Sequence, residues 1–278
     1  MSNSANTQKE IEKPIKRGRL RQILGREFYI LKRKLNCFLS SKKWAKQIKE
    51  EFKGYSVFKH KSIILRPLKG VDMYLQENKR VNLELAIKKL DSMLIKPSET
   101  LSVWRNVGRP TRAKGYLEGL SLKNGQISKD IGGGLCQLGN LLFWIFAHSP
   151  LTITERHRHG FDVFPDVNRK VPFGAGATLS YNHIDLQVKN ETNQNFYLKL
   201  WLDDTYLHGE LFSQNKPYFK YRVVEKNHII KQQIWGGYSR HNEIYKIIED
   251  EDGLIEESLL VRNDAIMMYS PMLNNRKI

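Results

Sequence analysis

The chain has 278 residues, of which 40% are hydrophobic and 27% charged, enough apolar material for a sizeable core. Its mean hydropathy is −0.51, and its longest apolar run, residues 141–147, is far shorter than the ~20 residues a spanning helix needs. With only two cysteines, these features exclude a disulfide scaffold, a four-cysteine zinc module, a collagen and a polytopic membrane protein, while the net charge of +17 points to anionic partners.

The first fifth of the chain carries more than half of that charge: residues 1–50 hold 14 Lys or Arg against 4 Asp or Glu. Residues 1–18 are polar and aperiodic, include Pro14, and read as a flexible basic tail without the apolar stretch of a secretory signal. Leu20, Leu24, Phe28, Leu31, Leu35 and Phe38 then recur at steps of three and four, the stripe of an amphipathic helix, with Arg19, Arg21, Arg26, Lys32, Arg33 and Lys34 largely off it. A second basic helix is expected over residues 42–52, with Trp44 and Ile48 on one side. Residues 19–55 therefore form a basic helical arm. Such an arm either packs its stripe on the body or docks on an anionic membrane, since Lys and Arg mixed with Phe, Trp and Leu suit a bilayer interface. Nucleic acid is the weakest partner, because no recognition motif accompanies the charge.

The body, residues 56–278, is expected to be one contiguous domain, as no repeat or low-complexity linker divides it. Residues 81–95 read as a helix, and residues 108–134 as loops and short strands. Residues 136–148 read as a buried helix ended by Ser149-Pro150. From Leu151 onward the pattern is β-rich, with expected strands at 177–188, 196–202, 218–225, 229–235 and 243–249, and turns at 190–195, 203–204 and 249–253. The fold class is thus α+β: a basic helical arm, then a helix starting near Cys136 packed on a mainly antiparallel sheet.

Two stretches carry candidate chemistry. In IGGGLCQLGN, three consecutive glycines, Gly132, Gly133 and Gly134, imply positive φ or a close approach and read as candidate substrate-binding residues. Cys136 follows in the first turn of a helix, where the dipole would favour a thiolate, and Gln137 beside it could donate to an oxyanion. The plain alternative is a packing cysteine behind a tight turn. In LTITERHRHGFDVFPD, a strand over 153–159 would place Glu155, His157 and His159 on one face as base and orienter. The i, i+2 histidines would also suit a metal, or simply a charged strand. Arg156, Asp162 and Asp166 complete the candidate binding residues. The remaining histidines, His148, His183, His208, His228 and His241, stand alone and read as structural. No H-E-x-x-H, Walker loop or dinucleotide fingerprint is present, so no metal or cofactor is expected.

The segments GGGLCQLGNLLFW, TERHRHGFDVFPD and PFGAGATLSYNHIDLQVKN, together with VDMYLQENKRVNLELAIKKLD, resemble the VanW family, named for an accessory protein of B-type vancomycin-resistance clusters. Gly139 and Gly160 stand where the resemblance leads one to expect serine. What the resemblance implies is a role in glycopeptide resistance and cell-wall metabolism. Two classes of mechanism stay open. One is a thiol hydrolase or transferase with Cys136 as nucleophile and His157 or His159 as base. The other is a non-catalytic module binding cell-wall precursors or a partner at the inner membrane face. The expected location is cytoplasmic, peripheral at that face, with residues 19–55 meeting an anionic surface or a lipid-linked precursor.

Overall fold

A computed structural model describes residues 18–66, 71–123, 125–165, 171–182 and 184–271. Most of the expected tail, Asp166 and His183 lie outside the described residues. The arm opens with α1 (Arg19–Leu39), where the stripe predicts it. The second helix expected over 42–52 is corrected: β1 (Lys43–Trp44) and β2 (Gln47–Ile48) are short strands laid against the body. Trp44 and Ile48 have helical spacing, but the backbone is claimed by sheet edges, as the Ala45 amide donates to Thr100 O (3.0 Å) and the Lys49 amide to Ser92 O (2.9 Å).

The body begins with β3 (Tyr55–Ile63) and α2 (Met73–Ile87). The helix expected at 81–95 thus starts and ends earlier, because residues 93–95 become the buried strand β4 (Met93–Ile95). Then come β5 (Glu99–Ser102), the one-turn α3 (Val103–Val107), and the hairpin of β6 (Glu118–Lys123) and β7 (Gln126–Ile131). The central helix α4 (Cys136–Ala147) is where the sequence places it. The strand expected over 153–159 stops early, as β8 (Thr152–Glu155), and β9 (Phe161–Asp162) is a separate two-residue strand. Residues 177–188 are largely irregular; only β10 (Gln187–Lys189) is regular there. The β-rich remainder is β11 (Phe196–Leu202), β12 (Tyr206–Ser213), β13 (Lys220–Gln232), β14 (Tyr238–Glu249) and β15 (Leu254–Met267).

The strands form three sheets beside the β6–β7 hairpin, in the orders β1-β5-β10-β8, β2-β4-β11-β12-β3 and β13-β14-β15-β9. Pairing is antiparallel except at β1–β5 and β15–β9, so the α+β expectation holds. A single apolar cluster runs through α2, α4 and residues of all three sheets. α4 lies at its centre: Leu138, Leu141, Leu142, Phe143, Ile145, Phe146 and Ala147 are fully buried, which a helix apolar all round over residues 141–147 requires. Its C-terminal carbonyls are satisfied by Ser149 Oγ on Phe146 O (2.8 Å) and His148 Nδ1 on Trp144 O (2.8 Å).

Candidate functional site

The glycine triplet is explained by the chain itself. Gly132 and Gly134 have φ of +77° and +91°, and a Cβ on Gly133 would stand 2.1 Å from the Gly119 carbonyl oxygen. Two backbones therefore meet where β6 passes the entry to α4. Asn82 of α2, fully buried, locks this crossing: its Nδ2 donates to Leu117 O and Gly133 O (both 3.0 Å), and its Oδ1 accepts from the Leu117 amide (2.8 Å).

Cys136 occupies the first turn of α4, as expected, but its environment opposes activation. Burial pushes its thiol up, outweighing hydrogen bonds from backbone amides. Sγ accepts from the Leu179 amide (3.5 Å) and donates to the Leu179 carbonyl (3.7 Å), and neither His157 nor His159 is its hydrogen-bond partner. Gln137 is likewise occupied, its Nε2 donating to Ser62 Oγ (2.9 Å) and Ile63 O (2.8 Å), which ties α4 to the end of β3. Gly139 admits residues 177–179 against α4, since a Cβ there would lie 2.6 Å from Ala177 O. The expected serine would have no room in this arrangement, whereas Gly160 has nothing within 4 Å.

The shared face expected for Glu155, His157 and His159 is lost with the early end of β8. Arg156 turns inward, its Nε donating to Gly176 O (2.8 Å) and its Nη2 to Asn263 Oδ1 (3.0 Å); burial lowers its pKa to about 10. Arg156 thus clasps the 174–177 loop. His159 donates its backbone amide to Thr178 Oγ1 (3.0 Å) and sets Nδ1 on Phe161 O (2.6 Å), and burial lowers its pKa. Asp162, buried, accepts from Tyr269 Oη (2.9 Å) and lies 3.4 Å from an Arg240 nitrogen.

Glu155 and His157 do come together, with Nε2 3.6 Å from Oε1, but their neighbour is α1 and not Cys136. Arg33 of α1 reaches down to a charged hydrogen bond with Glu155 and lies 3.7 Å from Asp185 Oδ2. Asp185 is fully buried and accepts from Ser102 Oγ (2.5 Å) and the Trp104 amide (3.1 Å); burial nonetheless raises its pKa. Beside this clamp a cleft of about 380 Å³ opens between α1 and the sheet edge, lined by Tyr29, Lys32, Arg33, Cys37, Lys42, Trp44, Glu155 and Gln187. No group of His, Cys, Asp and Glu fit to hold a metal occurs among the described residues. Sequence reasoning found Glu155 and His157 and placed Arg33, Lys42 and Trp44 only within the 19–55 arm, and it missed Asp185 and Gln187. An acid at 185 between Ile184 and Leu186 was a usable signal, because a carboxylate inside an apolar run needs a partner.

The other face of α1 is the second feature. The whole predicted stripe is exposed, from Leu20 (76%) to Phe38 (84%), and Leu39 extends it. At about 100° per residue the stripe lies opposite Ile30, Arg33 and Cys37, the residues turned toward the body. The expectation that the stripe packs on the domain with the basic residues outside is therefore corrected: an arginine faces inward and the leucines face out. Arg21, Lys32 and Lys34 are exposed beside the stripe, and the one acid of the helix, Glu27, is held by Arg109 (2.7 and 3.0 Å). No helix among the described residues is long and apolar enough to cross a membrane.

Among known proteins, 39% identity over 181 residues relates the chain to the vancomycin B-type resistance protein VanW of Enterococcus faecalis, covering 65% of this chain and 66% of that protein. The uncharacterized protein YoaR of Bacillus subtilis is 34% identical over 116 residues, 41% of this chain and 36% of that one. The chain thus matches just under two thirds of the first relative's length and about a third of the second's. No solved structure matches. The family model described as VanW like protein matches residues 78–212, which span the Asn82 lock, the glycine crossing, α4, Glu155 and Asp185 while leaving α1 outside. Through residues 78–212, its central helix and the strands around it, the chain carries a VanW-like domain.

Proposed function

We propose that this chain is a non-catalytic binding module of glycopeptide resistance and cell-wall metabolism, working at an anionic membrane face. The observation that carries the reading is the outward stripe of α1. Fully burying a large apolar side chain is worth about 1.5–3 kcal/mol, so even partial insertion of Leu20, Leu24, Phe28, Leu31, Leu35 and Phe38 supplies several kcal/mol. Basic residues near an anionic surface add about 1 kcal/mol each, and Arg21, Lys32 and Lys34 are placed to do so. The apolar contribution is the larger, so salt should weaken binding without abolishing it. The link to resistance comes from the relation to the Enterococcus vancomycin B-type resistance protein. The thiol-enzyme reading has less behind it, since Cys136 is a raised, backbone-bonded thiol and Gln137 is already engaged.

Co-sedimentation of the full chain with phosphatidylglycerol-containing vesicles tests this. The wild type should bind, more weakly at high salt, and Leu24→Glu/Phe28→Glu should not. Equal binding by the double variant would overturn the membrane reading.

A further inference from the structure

We infer that the cleft between α1 and the sheet edge is a binding site for a phosphate-ester head group, carried by an amphiphile whose tail follows the α1 stripe. The tail part rests on the membrane reading above; the head-group part stands on the cleft alone.

Lys32 and Lys42 both line the cleft, and neither has a carboxylate partner among the described residues: Lys42 Nζ donates only to the neutral amide of Gln187 (3.1 Å). Arg33 is shared between Glu155 in the wall and Asp185 beneath it, so Lys32 and Lys42 leave the cleft one positive charge in excess of its two carboxylates. Arg33 is itself fixed by two carboxylates, which makes the floor rigid and leaves the two lysines adjustable above it. A dianion-capable phosphate fits such a set, with lysines as point charges on its oxygens.

The walls suit the rest of an ester head group. Tyr29 and Trp44 line the cleft with aromatic rings, and Trp44 is held by the Arg105 guanidinium 4.9 Å from its ring centre and the Lys42 ammonium 5.7 Å from it. The mouth also adjoins the stripe. Lys32 sits next to Leu31 on the rim, and Leu35 and Leu39 follow on the outer face at steps of four. A head group bound to Lys32 and Lys42 would therefore have its tail delivered onto exposed leucines and not into water.

Cys37 lines the same cleft and reports its occupancy. The experiment measures the rate of iodoacetamide alkylation of Cys37 by mass spectrometry, in full-length protein without vesicles, with three soluble probes: dihexanoyl phosphatidic acid, dihexanoyl phosphatidylcholine and sn-glycerol 3-phosphate. Dihexanoyl phosphatidic acid should slow alkylation at least tenfold, at a concentration where the zwitterionic choline lipid does not. Lys32→Ala/Lys42→Ala should lose that protection, while Lys46→Ala, outside the cleft, should keep it. No protection by the phosphatidate, or equal protection in the double lysine variant, overturns the site. Glycerol phosphate protecting as well as the phosphatidate overturns the tail assignment and leaves a site for soluble phosphate esters. Leu24→Glu/Phe28→Glu separates the two proposals: retained protection by glycerol phosphate at high concentration with lost vesicle binding supports the head-group site, whereas unchanged vesicle binding defeats the membrane reading alone.

Discussion

α4 and α1 are both helices rich in large apolar residues, and the molecule treats them in opposite ways. α4 is apolar all round over residues 141–147 and is enclosed by α2 and strands of all three sheets. α1 keeps its leucines and phenylalanines in water and holds to the body through polar contacts, Arg33 on Glu155 and Asp185 and Glu27 on Arg109, with Ile30 as its one buried apolar side chain. The contrast teaches that apolar content shows that a surface wants to be covered but not by what. For α4 the cover is the rest of this chain. For α1 nothing among the described residues provides it, and the basic residues beside the stripe indicate an anionic one.

The comparison can be broken most severely at the entry to α4. Gly133→Val places a side chain into the Gly119 backbone, which cannot move without displacing β6, so a loss beyond about 4 kcal/mol or failure to fold is expected in thermal melts. A melt close to wild type would mean that the crossing is loose. Within α4, Phe143→Ala leaves a cavity under a side chain of zero exposure and should cost about 3–5 kcal/mol in denaturant titration.

Acid provides a third test of the buried helix. His148 caps α4, stacked 4.0 Å from the Phe58 ring, and burial lowers its pKa from 6.5 to about 4. The unfolded chain therefore takes up a proton at this residue between those values while the folded chain does not. Stability is complete above pH 6.5 and falls toward pH 4, by on the order of 2–3 kcal/mol. His60 and His159 are also lowered by burial and act in the same direction, so His148→Leu should flatten the slope without removing it. Identical slopes in wild type and variant would contradict the assignment.

Smaller effects on stability sharpen the contrast from the α1 side. Leu24→Glu/Phe28→Glu removes two exposed side chains and should change unfolding free energy by no more than about 0.5 kcal/mol, even as it abolishes vesicle binding. A large destabilisation would show that the stripe is covered in solution by this protein itself. The two cysteines should follow their helices: Cys37, facing the cleft, should alkylate faster than Cys136, whose thiol is raised by burial and bonded to Leu179. The reverse order at every pH would revive Cys136 as a nucleophile.

Much of the element map was legible because local pattern and tertiary environment agree. α4 is named by an apolar run ended at Ser149-Pro150, and the 190–195 turn by Asn190, which is buried and donates to Ile95 O (3.0 Å) and Gln194 O (2.7 Å). The misreadings share one cause. Residues 42–52 have helical spacing but become edge strands because β4 and β5 offer backbone partners. Residues 156–159 continue an alternating pattern but leave the sheet because the Arg156 guanidinium turns in to the 174–177 loop.

The sequence by itself determined the periodicities: the stripe of α1, the helix at Cys136, the positive-φ demand of the glycines and the pairing of charge with the arm. These follow from side-chain spacing and backbone sterics, which act over a few residues. Only the tertiary structure decided that the glycine turn faces another backbone, that Glu155 answers to Arg33 and not to Cys136, and that the stripe points outward. Each of those outcomes depends on groups between 14 and more than a hundred positions apart in the chain, and their approach is set by how the sheets enclose α4, which no local pattern encodes.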